Sequence, residues 1–348
     1  MQLIVLGLNH KTAPVEIRER FNFSQDRTVR VLRRLRNNDN LNEAVLLSTC
    51  NRTELYMVLE DPAAGLHFIR TLLRHLAGEQ YKPDYFYNLT GINCVRHLFK
   101  VASSLDSLII GEGQILSQIK NAYHLSRSCG MTDTLFNTLF NRAIAVGKRV
   151  RTETKIAYSS VSVSSAAVDL AIDVVGDLTK ANILVLGAGR MSELTARHLI
   201  DKGAKTIFVS NRNLSHAQEL AEKFNGTAIP YNEFMHQAIT SDIIITSTGA
   251  PHYVITEQGV RDIIPKRSGK PLILVDIAVP RDVDPLVGDI EGVTLYNIDD
   301  LEGVVDMNKN FRSSEAKVAE AIIDEEITAL KRSEERRVGK ECRSRWSP

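Results

Sequence analysis

The sequence predicts an α/β chain of two globular units followed by one long helix. Three observations carry this. The chain has 348 residues, more than one core usually organises. Short β-prone apolar runs recur in both halves between helical stretches. From Asp300 to Lys331 apolar residues return at helical spacing, with no Pro and with no Gly after Gly303. Apolar content of 43% and charged content of 24% leave ample material for buried cores and exclude a disordered chain.

In the first unit QLIVLGL (2–8), AVLLST (44–49) and TELYMVL (53–59) read as strands, the last with partial alternation, framing a helix near 25–36. From about 92 to 153 the pattern is helical: HLFKVASSL, EGQILSQIKNAYHLS, then, after the CGMTD turn, LFNTLFNRAIAVGKRVRTE. The unit is expected to span 1–155. The second, 156–300, opens with serines suited to capping in SSVSVSSAAVDLAIDVV. NILVLGAG, TIFVSNR, DIIITSTGAP and PLILVDIAVP follow as continuous apolar strands, as in a parallel sheet covered on both faces. In the amphipathic stretch 301–331, Leu301, Val304, Val305, Phe311, Val318, Ile322 and Leu330 form an apolar side that packs on the earlier units or meets another subunit.

The net charge of +1 is unevenly spread, because residues 331–348 hold seven Lys or Arg against three Glu. The remaining body is slightly acidic and gives no global reason to bind nucleic acid. Residues 332–348, with the only Trp at Trp346, lack an apolar period; they are either a basic arm for RNA or a non-native extension. Cys50, Cys94, Cys129 and Cys342 form no CxxC pair, and the histidines show no metal-ligand spacing, so neither a disulfide framework nor a metal is expected. No run approaches the ~20 apolar residues of a membrane span, and a cytoplasmic location fits the thiols best.

Gly187-Ala188-Gly189 follows a predicted strand and precedes a helix from Arg190 to Ile200, the context of a Rossmann-like dinucleotide fingerprint. Gly187 serves the tight turn, Gly189 the approach of pyrophosphate to the helix N-terminus, and Ser192 the close packing of the third glycine position. Arg190 and Met191 lie in the same turn. The next strand ends Ser210-Asn211-Arg212, with no carboxylate to hold a ribose hydroxyl, so Asn211 and Arg212 point to NADPH. The competing reading is a simple glycine turn and a surface arginine.

Cys50 lies where an apolar strand stops, in the polar turn Cys50-Asn51-Arg52. Arg52 is close enough in sequence to steady a thiolate or bind a carboxylate, and a lowered thiol pKa would suit covalent acyl capture. Alternatively Cys50 is a small buried apolar residue. A nicotinamide domain in the same chain favours the first reading, since a thioester accepts hydride.

Taken together, STCNRTELY, GLNHKTAPVEIRE, SLDSLIIGEGQILSQ, VLGAGRMSEL and VDIAVPRDVDP make the chain closely resemble glutamyl-tRNA reductases over about residues 1–330. The resemblance implies a catalytic N-terminal domain in which Cys50 attacks the ester of glutamyl-tRNA(Glu), releasing tRNA. The resulting thioester is reduced with NADPH to glutamate-1-semialdehyde for tetrapyrrole synthesis. It implies that Thr49, Asn51, Arg52, Ser107, Glu112, Gly113, Gln114 and Gln118 surround the glutamyl group, with Arg52 on a substrate carboxylate. Gly113 replaces a common proline, so a looser loop is expected. His97 matches a family histidine that assists proton transfer or orients the ester, although a helix histidine is also often structural. Lys148, Arg149, Arg151 and Lys155 either meet tRNA phosphates or complement a helix dipole.

The family also implies a homodimer through a helical C-terminal domain and an aminotransferase partner that receives the semialdehyde. Here that domain is cut short, so the long helix is expected to expose its apolar side and the chain to dimerise weakly or aggregate. Two other functions fit the residues less fully: an NADP-dependent dehydrogenase of a small metabolite, and an NADPH- or tRNA-binding protein without turnover.

Overall fold

The computed structural model describes residues 1–77, 82–108, 111–154, 156, 163–301 and 309–338. The chain forms two compact units, Met1–Ser160 with Asn308–Pro348, and Val161–Met307.

The first unit holds β1 (Gln2–Asn9), α1 (Val15–Arg18), α2 (Gln25–Leu35), β2 (Leu41–Ser48), β3 (Arg52–Leu59), α3 (Pro62–Ala77), β4 (Tyr87–Thr90), α4 (Gly91–Ala102), α5 (Ile115–Ser128) and α6 (Thr134–Glu153). Its sheet has the order β2-β3-β1-β4, and its pairings are antiparallel. Strand side chains alternate between faces. Leu3, Val5, Val45, Leu47, Tyr56 and Val58 pack under the helices that follow, in one core with Leu98, Phe99, Phe136 and Phe140. Ile4, Leu6, Leu8, Leu46, Leu55 and Met57 form a second core with Phe21, Leu32 and Ile69. Both faces are therefore covered, and every residue of β3 is buried, which is why its alternation is only partial. The sequence reading passed over α3 and β4; β4 has four residues and none of them is fully buried, so it leaves no periodic signal.

The second unit holds α7 (Val163–Val175), β5 (Asn182–Leu186), α8 (Arg190–Asp201), β6 (Thr206–Ser210), α9 (Leu214–Lys223), β7 (Thr227–Ile229), α10 (Phe234–Ala238), β8 (Ile243–Thr246), α11 (Glu257–Ile263), β9 (Leu272–Asp276) and β10 (Val293–Asn297). Its six strands run parallel in the order β10-β9-β8-β5-β6-β7. The order reverses beside β5, the switch point where open α/β sheets bind ligands. The serines before Val163, and Lys155, lie outside the described residues.

The last helix, α12 (Lys309–Val338), belongs to the first unit. Its apolar stripe is Ala319, Ile322, Ile323, Ile327 and Leu330, buried in the core formed with α4 and α6. Ion pairs flank the seam, among them Lys100–Glu320 at 2.8 Å, Arg142–Glu326 at 3.1 Å and Arg96–Asp324. This corrects several expectations. Residues 319–330 cover their apolar side within the chain, so that stripe gives no cause for aggregation. Val318 is exposed, and Leu301 is buried in the second unit rather than on this helix. The helix also continues to Val338, into the segment expected to stand apart from the fold. Val304, Val305, Cys342 and Trp346 fall outside the described residues, as does the side chain of Phe311.

Candidate active site

Cys50 stands in the turn between β2 and β3. Thr49 builds that turn: its Oγ1 accepts the backbone N–H of Asn51 at 3.2 Å and of Arg52 at 3.1 Å. Arg18 braces the other side, donating from Nη1 to the Cys50 carbonyl at 2.9 Å and to Asn51 Oδ1 at 3.1 Å. Asn51 is buried, and its carbonyl accepts the His10 N–H at 3.0 Å. Cys50 as a residue is partly exposed, standing at the edge of the fold in this turn, while protein closely surrounds its sulfur. The expected lowering of its pKa is not found. Enough protein surrounds the sulfur that desolvation, then the negative charge of Glu112, pushes the thiol up to about 12, against the opposing charge of Arg18.

The Arg52 guanidinium is already paired inside the protein, which the sequence did not foretell. Nη1 donates to Glu54 Oε1 at 2.5 Å, and both Nη atoms lie 3.2 Å from Asp106 Oδ2, with Nη2 also bonded to the Asp106 carbonyl. Glu54 is fully buried and accepts further bonds from Tyr56 Oη and Tyr87 Oη, both at 2.5 Å. Burial alone would raise its carboxyl; Arg52, His97 and the bond from Tyr56 overcome this and hold it well below the usual carboxylate range. The cluster depends on Gly7, which pairs with both Glu54 and Tyr87 across the sheet. A Cβ there would meet Glu54 Cγ at 2.8 Å and the Tyr87 ring at 2.9 Å.

His97 reaches this same carboxylate, with Nε2 2.9 Å from Glu54 Oε1 and its ring edge-on to Tyr87. It is thus tied to the Arg52 cluster. His10, which sequence reasoning missed, has a buried Nδ1 with no hydrogen-bond partner. Burial first, then the charges of Arg52 and Lys11, lower its imidazole to about 4, so it is neutral at pH 7. Glu54 and Asp106 were missed as well. A carboxylate two residues from Arg52 in an apolar strand was the available signal for Glu54.

Ser107, Glu112 and Gln114 are half-buried and Gly113 is exposed. Desolvation raises the Glu112 carboxyl, against Arg52 and Arg151. Arg151 pins the loop by donating to the carbonyls of Gly113 at 2.9 Å and Glu112 at 2.8 Å, so the expected slackness at Gly113 is countered. Arg149 is paired with Glu153, Glu325 and Glu326. These two arginines therefore have partners within the protein. Gln118 lines a cavity of about 630 Å³ with Phe23, Ser48, Asn121 and His124, which neither Cys50 nor Arg52 lines. The fold gathers residues 49–52, sets Glu112 within electrostatic reach of Cys50 and Arg52, and ties His97 to Arg52 through their shared partner Glu54, whereas Gln118 lines a cavity that residues 49–52 do not.

In the second unit a cavity of about 150 Å³ is lined by Gly187, Ala188, Gly189, Asn211, Arg212, Tyr231 and Thr248 among others. Gly187 has φ +114°, and a Cβ there would sit 2.8 Å from both Ser192 Oγ and the Ser247 carbonyl. At Gly189, the N-cap of α8, a Cβ would meet nothing within 4 Å, so open space lies before the helix N-terminus. Arg190 is exposed, Ser192 is buried against Ser247 at 2.7 Å, and the Met191 carbonyl accepts from Ser164 and Thr195. These last two support the turn rather than line the cavity. Asn211 Oδ1 accepts the Asn213 N–H at 2.8 Å, fixing the chain beside Arg212. Ser210 Oγ, at the cavity, is buried with no hydrogen-bond partner. Tyr231 opens a single 3-10 turn (Tyr231–Glu233) and Thr248 lies on a loop, so neither has a periodic signature.

Residues 6–154 match the family model described as Glutamyl-tRNAGlu reductase, N-terminal domain, and residues 169–304 match Shikimate / quinate 5-dehydrogenase. A curated protein of Trichlorobacter lovleyi named Glutamyl-tRNA reductase is 47% identical over 330 residues, covering 94% of this chain and 76% of the relative. The chain belongs to the glutamyl-tRNA reductase family. A relative of the same name from Geobacter sulfurreducens is 46% identical over equal shares. The solved structure of Glutamyl-tRNA Reductase from Methanopyrus kandleri matches 97% of this chain and 82% of its own, at 36% identity and a TM-score of 0.50. Family membership makes the chain an oxidoreductase, and the dehydrogenase match makes its second unit a nucleotide-binding one. No helix among the described residues is long and apolar enough to cross a membrane.

Proposed function

We propose that this chain reduces the glutamyl group of glutamyl-tRNA to glutamate-1-semialdehyde, with release of tRNA, through a thioester on Cys50 and with NADPH as reductant. The observation that carries the reading is a cysteine at a partly exposed turn braced by Thr49 and Arg18, beside a fully buried Arg52–Glu54 pair. An aminoacyl ester is already activated, so the protein chiefly orients the carbonyl and keeps water from the acyl-enzyme. Thr49 and Arg18 fix the backbone that carries the sulfur. The high thiol pKa means that the resting protein holds Cys50 protonated. Its proton must leave as the sulfur attacks, and the tRNA hydroxyl must gain one as it departs.

The second unit fits NADPH. Gly187, Ala188 and Gly189 would hold the pyrophosphate before α8, and Arg212 with the unpartnered Ser210 Oγ would engage the additional phosphate. Bound there, NADPH supplies the hydride. The test is a single-turnover assay with glutamyl-tRNA. Acyl-protein should accumulate without NADPH, convert to semialdehyde when it is added, and be absent in Cys50→Ser. Semialdehyde formation by Cys50→Ser at an undiminished rate would refute the thioester.

A further inference from the structure

The two carboxylates on Arg52 differ in what governs exchange. Glu54 is 0% exposed and takes bonds from Arg52, His97, Tyr56 and Tyr87. Asp106 is 18% exposed, its Oδ2 touches Arg52 at 3.2 Å, and its Oδ1 has a second cation, Lys11 Nζ, at 2.5 Å. Lys11 is itself 57% exposed, so it can follow a carboxylate that turns outward. The main-chain carbonyl of Asp106 is bonded separately to Arg52 Nη2, which leaves the loop anchored when the side chain moves.

We propose that the Asp106 carboxylate is a resident stand-in for the side-chain carboxylate of the substrate. On binding, the glutamyl carboxylate takes its place on the outer edge of Arg52, and Asp106 turns to Lys11. This rests on the glutamyl-thioester reading above. The exchange conserves charge at the buried guanidinium, which faces a carboxylate before and after, so little new desolvation is required. It also gives selectivity, since an uncharged side chain brings nothing able to displace Asp106. Glu54 remains the fixed partner throughout.

The test uses the full chain with NADPH, and L-glutamic acid 1-methyl ester and L-glutamine methyl ester as competitors of glutamyl-tRNA. With Asp106→Asn, the inhibition constant of the glutamate ester should fall about tenfold, as expected when a self-occupied state is removed, and that of the glutamine ester should not change. Lys11→Met should weaken the glutamate ester in the otherwise unaltered chain and have no effect once Asp106 is Asn. Weaker glutamate-ester binding in Asp106→Asn, parallel changes for both esters, or a Lys11 effect that persists in the double variant would overturn the proposal. Any of these would make Asp106 a positioning residue or Lys11 a direct ligand. If Asp106→Asn does not fold, Asp106→Ser takes its place in the same single and double comparison with Lys11→Met, with the same outcomes for and against. Calorimetric binding of the same esters needs no turnover, so absence of the aldehyde and thioester would overturn the reaction without touching this measurement.

Discussion

Replacing Glu112 with Gln should make Cys50 react faster with a neutral electrophile. Glu112 is the leading charged contributor to the raised thiol pKa, and its own desolvation leaves it poorly screened. With the thiol at about 12, only about one molecule in 10⁵ carries thiolate at pH 7, and that fraction grows tenfold per pH unit. For each unit by which Glu112→Gln lowers the pKa, the thiolate fraction rises tenfold while intrinsic nucleophilicity falls about threefold, a net gain of about threefold. Iodoacetamide alkylation is the assay, followed by mass spectrometry of the Cys50 peptide from pH 6 to 10. That readout separates Cys50 from Cys94, Cys129 and Cys342. The unaltered protein should show log rate rising with unit slope and no plateau, and the Gln variant a faster rate at every pH. A plateau with a midpoint below pH 9 in the unaltered protein, or slower alkylation in the variant, would refute the account of the resting thiol.

Gly7→Ala should destabilise the first unit by ~1–3 kcal/mol in urea unfolding, because the new methyl meets Glu54 and Tyr87 below 3 Å. Glu54→Gln should cost ~3–5 kcal/mol near pH 7, since it leaves Arg52 buried with its inner partner neutral. The Glu54 carboxyl is depressed in the fold, so its stabilisation is present above the unfolded pKa near ~4.3 and is lost as pH falls below it. The gap between the two proteins should therefore narrow in acid. Arg212→Ala should weaken NADPH binding by roughly tenfold in fluorescence titration and leave NADH unchanged, because the guanidinium is exposed at the cavity edge.

The legible parts of the sequence were those whose signal is local. The β5 run into Gly187-Ala188-Gly189 announces a strand, a positive-φ turn and a helix start within ten residues, and all three are present. Cys50 was readable because a polar turn interrupts an apolar strand. The resident partners of Arg52 were not legible, because one of them is Asp106, 54 positions away, which only the fold brings near. Likewise the thiol pKa depends on Glu112, on a different segment. Tyr231 and Thr248 reach the second-unit cavity from a short 3-10 turn and a loop, where neither a 2.0 nor a 3.6 period marks them.

The return of α12 to the first unit bears on how the polypeptide acquires its shape during synthesis. The Val161–Met307 body is continuous in sequence and can mature as soon as it leaves the ribosome. The older N-terminal portion cannot. Its α4 and α6 surfaces wait for Ala319 to Leu330, translated after the whole intervening body, before their apolar side chains are shielded. For that interval the nascent chain presents a greasy face, and a chaperone that retains the N-terminal portion until those residues emerge would raise the yield of folded protein.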